Sequence, residues 1–127
     1  MGTTALIVDD SKLARIVLAK AINALQPAWA RVEAANADEA LAVLESRRID
    51  VAVLDYNMPG RNGVELAEEI RRRYPAIAVA VATANVQDEV IDGIRGAGAA
   101  FVAKPVTEES IGGFLSGAAL KLRASAT

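Results

Sequence analysis

Short apolar runs alternate along the chain with longer segments whose apolar residues recur at helical spacing. The runs occupy residues 5–8, 30–35, 51–54, 78–82 and 99–103. Short runs that are apolar on both faces are typical of strands buried in a parallel sheet. The run at 30–35 is less apolar than the others, which indicates an edge strand. Strict strand–helix alternation, five times over, predicts an α/β domain with helices on both faces of the sheet.

The first two helices have recognisable boundary signals. Ser11 is expected to cap the first helix, which should run to about Leu25 before Pro27 stops it. Its apolar positions at helical spacing are Leu13, Ile16, Val17, Ala21 and Ala24. Asn36, followed three residues later by Glu39, predicts a capping box at the second helix.

The remaining helices are delimited mainly by glycine and proline. We expect the third helix to begin at Gly63 and to end before Pro75. The fourth should span about 86–97, with Gly98 as its C′ residue. The last should begin near Thr107.

Polar side chains follow four of the apolar runs directly. Asp9 and Asp10 follow the first run, and Asp55 follows the third. Thr83 and Lys104 follow the fourth and the fifth. The carboxyl ends of parallel strands meet at one edge of a sheet, where α/β proteins bind ligands. Clustered carboxylates raise each other's pKa, and a hard divalent cation relieves this repulsion. The edge therefore predicts a site for Mg²⁺ and a phosphoryl group.

A family resemblance rests on these residues taken together. Asp9-Asp10, Asp55, Met58-Pro59-Gly60, Thr83 and Lys104-Pro105, in this order and spacing, resemble the receiver domain of bacterial response regulators. The resemblance covers about residues 4–122. It implies a flavodoxin-like (βα)5 fold, doubly wound around a five-stranded parallel sheet of order 2-1-3-4-5. It also implies a single receiver domain over 1–127 without an output domain, similar to the stand-alone chemotaxis protein CheY.

The resemblance assigns roles around the acidic residues. Asp55 is the expected phosphoacceptor, in a reaction that depends on Mg²⁺. Asp10 is expected to bind the metal directly and Asp9 mainly through water, with Asp55 and the backbone carbonyl of Asn57 completing the set. Asn57 and Asn85 occupy the positions that tune the lifetime of the phosphoryl group in this family. The plainer alternative for Asp9 or Asp10 alone is a cap of the first helix.

Further roles fall on the fourth and fifth strands. By resemblance, Thr83 hydrogen-bonds a phosphoryl oxygen, and Lys104 pairs with Asp55 at rest and with the phosphoryl group afterwards. Phe101 matches the switch aromatic of the family but has no phenol hydroxyl. The Lys104–Pro105 bond is a candidate cis peptide. The plainer alternatives are that Thr83 is an ordinary strand-end hydroxyl, that Lys104 is a surface lysine and that Phe101 is a core phenylalanine.

The last helix contains three glycines, at 112, 113 and 117, and each interior glycine costs about 1 kcal/mol relative to alanine. Its apolar face is intact, so we expect the helix to dock. The plain interpretation is a frayed helix. The alternative is that Gly113 lets a partner approach the backbone.

Composition narrows the partners and the location. The chain has 127 residues, a net charge of −2, no Cys and no His. It has no basic stripe for nucleic acid and no apolar stretch that would span a membrane, so a cytoplasmic protein is expected. Without His it cannot be its own phosphohistidine donor.

The expected function is a two-component switch rather than an enzyme, beyond its own phosphorylation and dephosphorylation. A sensor histidine kinase or a histidine phosphotransfer protein donates the phosphoryl group. A protein target then binds the face made by the fourth helix, fifth strand and fifth helix, with the receiver a monomer or weak dimer. The alternative is a phosphorelay intermediate or phosphate sink. A phosphatase of the HAD type would need an acid at 57, where Asn57 stands.

Overall fold

The structure is a computed structural model that describes residues 2–126. The strands β1 to β5 are Thr4–Val8, Ala30–Ala34, Val51–Asp55, Ala78–Thr83 and Ala100–Ala103. The helices α1 to α5 are Lys12–Leu25, Ala37–Ser46, Gly63–Arg73, Asp88–Gly96 and Glu108–Ala126. Neighbouring strands pair in parallel, in the order β2-β1-β3-β4-β5. This confirms the predicted fold and the edge position of β2.

The sheet has an apolar core on each face, because successive side chains of a strand point to opposite sides. Leu6 and Leu54 point into the core that is covered by α2, α3 and α4. Ile7 and Val53 point into the core that is covered by α1 and α5. All four of these side chains are fully buried. The central strands are therefore apolar on both faces, as the sequence pattern predicts.

Two of the predicted helix caps are present, one of them only in part. The Ser11 hydroxyl accepts a hydrogen bond from the Ala14 N–H at 3.2 Å. The Asn36 side chain accepts from the Glu39 N–H at 2.9 Å. The Glu39 carboxylate, however, accepts from the N–H of Ala35 and not of Asn36, because the chain before α2 places Ala35 within its reach. The predicted capping box is therefore only half formed.

A complete capping box lies at the start of α3 and was not predicted. The Asn62 side chain accepts from the Glu65 N–H, and the Glu65 carboxylate accepts from the Asn62 N–H, both at 2.9 Å. α3 begins at Gly63 as expected. α4 is shorter at both ends than predicted, and Gly98 follows it with a φ of 80°.

The predicted apolar face of α1 is wrong at most of its positions. Leu13 is 70% exposed, and Ile16 and Val17 are each 41% exposed. The buried residues of α1 are Leu18, Ala21 and Ile22. Apolar side chains occur on nearly every side of this helix, so two different sets of residues, one beginning at Leu13 and one at Leu18, have helical spacing. Packing on the sheet selects the second set and leaves the first one in solvent.

α5 docks as expected and runs without interruption for 19 residues. Ile111, Leu115 and Ala118 are buried against the sheet. Gly113 lies on the exposed side, and a Cβ built there would meet no atom within 4 Å. Among residues 2–126, no helix is both long and apolar enough to cross a bilayer.

Candidate functional site

The carboxyl ends of the strands form one acidic rim, as expected. β1 and β3 pair through Val8 and Leu54, so Asp9 and Asp55 leave the sheet side by side. One carboxylate oxygen from each of Asp9, Asp10 and Asp55 lies within 4.8 Å of the others. Asp9 and Asp55 are buried, whereas Asp10 is exposed. The rim thus offers both sheltered and accessible oxygen ligands.

Lys104 joins the two buried acids. Its ammonium donates to Asp55 Oδ1 at 2.8 Å and to Asp9 Oδ2 at 2.9 Å. The Lys104 side chain is 27% exposed, and those of Asp9 and Asp55 are 6% and 7% exposed. The contact with Asp55 is the one expected at rest, whereas sequence reasoning missed the contact with Asp9. Removing one partner of such a sheltered pair leaves an uncompensated charge, which is strongly destabilising.

The charges in this cluster shift the pKa values of two groups. Burial raises the pKa of Asp55 and the nearby Asp9 carboxylate adds to the effect, against hydrogen bonds from Lys104 and from the Asn57 N–H. Burial alone would lower the pKa of Lys104, but its hydrogen bonds to Asp55 and Asp9 outweigh this and raise it. Pairing with Lys104 by itself would lower the pKa of Asp55, so the raised pKa shows that burial and the Asp9 carboxylate outweigh the single ammonium.

The polar atoms of Asp9 are all engaged. Its N–H donates to the Ala34 carbonyl at 3.1 Å. Its Oδ1 accepts from the Ser11 N–H at 2.9 Å, and its Oδ2 accepts from Lys104. The Asp10 carboxylate has no hydrogen-bond partner among residues 2–126. Asp10 is therefore the acid that is free to bind a cation.

The donor set fits a hard divalent cation. Three carboxylates face a single ammonium at this rim, which leaves a local charge of about −2. Mg²⁺ prefers carboxylate, carbonyl and water oxygens, and this rim supplies the first of these. The backbone carbonyl of Asn57, on the loop after β3, stays a predicted fourth ligand. Its N–H is already used by the Asp55 carboxylate.

The two residues of the predicted switch lie on one face of the sheet. Thr83 pairs with Ala103, and Phe101 pairs with Val81. Thr83 and Phe101 therefore point to the side covered by α3 and α4, since positions two apart share a face. Thr83 is 1% exposed, and its hydroxyl oxygen accepts from the Asn85 N–H at 3.1 Å. Phe101 is half-buried against the same core.

An apolar cavity of about 250 Å³ lies beside Asp55 and was not predicted. It opens between the first turns of α1 and the segment after β5, where the Lys104–Pro105 peptide bond is cis. Its lining includes Leu13, Ala14, Val17, Leu18 and Val106. Leu13 and Val17, which are exposed on α1, thus also line the cavity beside Asp55.

Arg15 is the polar residue near the site that sequence reasoning missed. Its Nη1 donates to the Asp9 carbonyl at 2.7 Å, and its Nε lies 2.8 Å from Glu33 Oε1. A lone arginine within an apolar helical stretch was the available signal, but helical spacing does not show which way its guanidinium points.

The fold and the acidic rim together define a class: α/β domains that gather acids and one lysine at the carboxyl edge of a five-stranded sheet. Chemotaxis response regulator CheY4 of Vibrio cholerae superposes with a TM-score of 0.82 at 26% identity, covering 93% of this chain and 99% of that chain. A CheY-like receiver from Methanospirillum hungatei superposes with a TM-score of 0.82 at 24% identity, covering 98% of this chain and 99% of the other. The second likeness shows the fold alone.

Sequence similarity then gives the family. The profile of the response regulator receiver domain matches residues 5–114. The positive alginate biosynthesis regulatory protein of Pseudomonas aeruginosa is 32% identical over 108 residues, which are 84% of this chain and 43% of that protein. The phosphate regulon regulator PhoB of the same organism is 28% identical over 87% of this chain and 49% of its own length. The chain belongs to the response regulator receiver family and spans about half the length of these relatives.

Proposed function

We propose that this chain is a phosphorylatable switch whose phosphoacceptor is Asp55. The donor is a phosphohistidine of a sensor histidine kinase or of a histidine phosphotransfer protein. A carboxylate oxygen of Asp55 attacks phosphorus, the P–N bond breaks, and the imidazole leaves. The observation that carries the proposal is the sheltered Asp55 carboxylate at the end of a central strand, with one oxygen bound by Lys104.

The surrounding residues have distinct parts in this step. Asp10, Asp55 and the Asn57 carbonyl would hold Mg²⁺, with Asp9 acting mainly through water. Bound Mg²⁺ supplies positive charge against the phosphoryl oxygens. The Lys104 ammonium moves from the Asp55 carboxylate to a phosphoryl oxygen. The Thr83 hydroxyl accepts its present hydrogen bond, so its proton is available to a second phosphoryl oxygen.

The surface beside Asp55 supports a protein as the donor. Leu13, Ile16 and Val17 form an exposed apolar strip on α1. Leu13 and Val17 also line the cavity that reaches Asp55. Contiguous exposed apolar surface marks interaction sites on soluble proteins. A helical donor resting on this strip would present its phosphohistidine to the acidic rim.

The output of the switch is a change in affinity for a protein target. Phosphorylation favours one of two conformations, and only a target that binds the two with different affinity responds. The proposed target surface is the face of α4, β5 and α5, and the exposed Gly113 on α5 is its proposed point of close approach to a partner. The chain is proposed to act as one receiver domain over 1–127, monomeric or weakly dimeric in the cytoplasm, with no enzymatic output of its own.

The test is intact mass after incubation with acetyl phosphate and Mg²⁺. We expect one added phosphoryl group in wild type, and none in Asp55→Asn or in the presence of EDTA. Asp50→Asn is a matched control, because Asp50 is a buried acid at the opposite end of the same strand segment and should leave labelling intact. If wild type gains no mass and beryllofluoride with Mg²⁺ leaves its amide NMR spectrum unchanged, the proposal is wrong.

A further inference from the structure

Arg15 connects the loop that carries the acids to a neighbouring strand. Its guanidinium spans 2.7 Å to the Asp9 carbonyl and 2.8 Å to the Glu33 carboxylate on β2. The Arg15 side chain is only 16% exposed, whereas that of Glu33 is 47% exposed. Two different nitrogens of one planar group are used, which fixes the orientation of the group as well as its place.

The carbonyl that Arg15 holds belongs to the peptide unit between Asp9 and Asp10. Asp9 is also fixed through its N–H, through Ser11 and through Lys104. Asp10 has no such side-chain restraint, so its direction follows from the backbone that precedes it. The orientation of this peptide unit therefore determines the direction in which the Asp10 side chain points from the loop.

We propose that Arg15 is a positioning residue for the cation ligands, with Glu33 as its anchor. Arg15 touches neither the phosphoryl group nor the cation, and acts through the Asp9–Asp10 peptide. Groups that orient metal ligands in this way typically contribute 10- to 100-fold to metal affinity. The inference rests on the proposed function, since it concerns the same Mg²⁺ site.

Electrostatics alone predicts the opposite sign, which makes the inference testable. A guanidinium near the rim repels Mg²⁺, so removing its charge should tighten cation binding. Loss of ligand orientation should instead weaken it. Lys12 provides the matched control, because it is an exposed cation at the start of the same helix with no side-chain hydrogen bond or ion pair among residues 2–126.

The experiment is a calorimetric Mg²⁺ titration of the unphosphorylated chain at neutral pH. For Arg15→Met we expect Kd to rise about tenfold or more, with phosphorylation by acetyl phosphate recovering at saturating Mg²⁺. Lys12→Met should bind Mg²⁺ as tightly as wild type or more tightly. Arg15→Lys keeps the charge but offers one nitrogen for two acceptors, so its Kd should lie between those of Arg15→Met and wild type.

Thermal unfolding followed by circular dichroism establishes that each variant is folded at the titration temperature. If Arg15→Met is unfolded there, Arg15→Lys alone decides, because pure electrostatics predicts an unchanged Kd for it. A Kd equal to or below that of wild type in the folded arginine variants overturns the inference. Absence of Mg²⁺ binding by wild type would instead overturn the proposed function, and the inference with it.

Discussion

Replacing Gly63 by alanine should disturb the strand that carries Asp55. A Cβ built on Gly63 would overlap the backbone carbonyl oxygen of Asp55 and lie 3.0 Å from both the Asp55 carbonyl carbon and the Tyr56 Cα. The Gly63 N–H also donates to the Tyr56 carbonyl at 2.9 Å. The crowded atoms are all backbone, so no side-chain rotation relieves the overlap.

The expected size follows from two opposing terms. Overpacking a tight site costs roughly 1–3 kcal/mol, and overlap with backbone atoms favours the upper end. Alanine gains at most about 1 kcal/mol over glycine in a helix. The net loss for Gly63→Ala should be about 2 kcal/mol, which for a domain of this size lowers Tm by roughly 6–10 °C. Gly113→Ala is the matched control, because nothing lies within 4 Å of its Cβ position, and it should gain about 0.4–1 kcal/mol.

Both variants can be followed by urea unfolding, with the fluorescence of the buried Trp29 and far-ultraviolet circular dichroism as probes. Phosphorylation by acetyl phosphate should slow in Gly63→Ala and stay unchanged in Gly113→Ala. The reasoning fails if Gly63→Ala is as stable as wild type, because the strand would then tolerate the added atom without shifting Asp55.

Three further predictions concern the cap of α3 and the cluster of Asp55, Asp9 and Lys104. Asn62→Ala removes the cap of α3 and should cost about 1 kcal/mol in urea unfolding, with an unchanged m-value. The folded pKa of Asp55 is raised above its ordinary value of 3.8, so wild-type stability should fall as pH rises from there through the folded pKa, and Asp55→Asn should lack this fall in a pH series. Lys104→Met removes the ammonium between Asp9 and Asp55, so it should unfold more easily without metal yet bind Mg²⁺ more tightly by calorimetry.

The strand-end residues were predictable from the sequence because backbone topology alone brings them together. Asp55 and Lys104 are 49 residues apart, yet each directly follows a short apolar run. Parallel pairing places such positions on one edge whatever the helices do. The same argument gave Asp9 and Thr83 without any knowledge of side-chain packing.

Features that depend on side-chain direction were not predictable in the same way. The buried face of α1 was assigned wrongly because Leu13 and Leu18 both belong to apolar sets with helical spacing. The contact between Arg15 and the Asp9 carbonyl depends on the distance between α1 and the loop before it. That distance is set by the packing of α1 on the sheet, which the local sequence does not specify.

The position of β5 indicates where a conformational change would begin. β5 is an edge strand of four residues, hydrogen-bonded to β4 alone, whereas β1 and β3 are each paired on both sides. Lys104 directly follows β5, and Phe101 within it points to the face shared with Thr83. If Lys104 and Thr83 both move toward a phosphoryl group, the larger displacement falls on β5, because this strand is held by backbone hydrogen bonds to β4 alone. We therefore expect hydrogen exchange to change in β5 and α4 on phosphorylation and to stay constant in β1, because β1 is paired with β2 on one side and with β3 on the other.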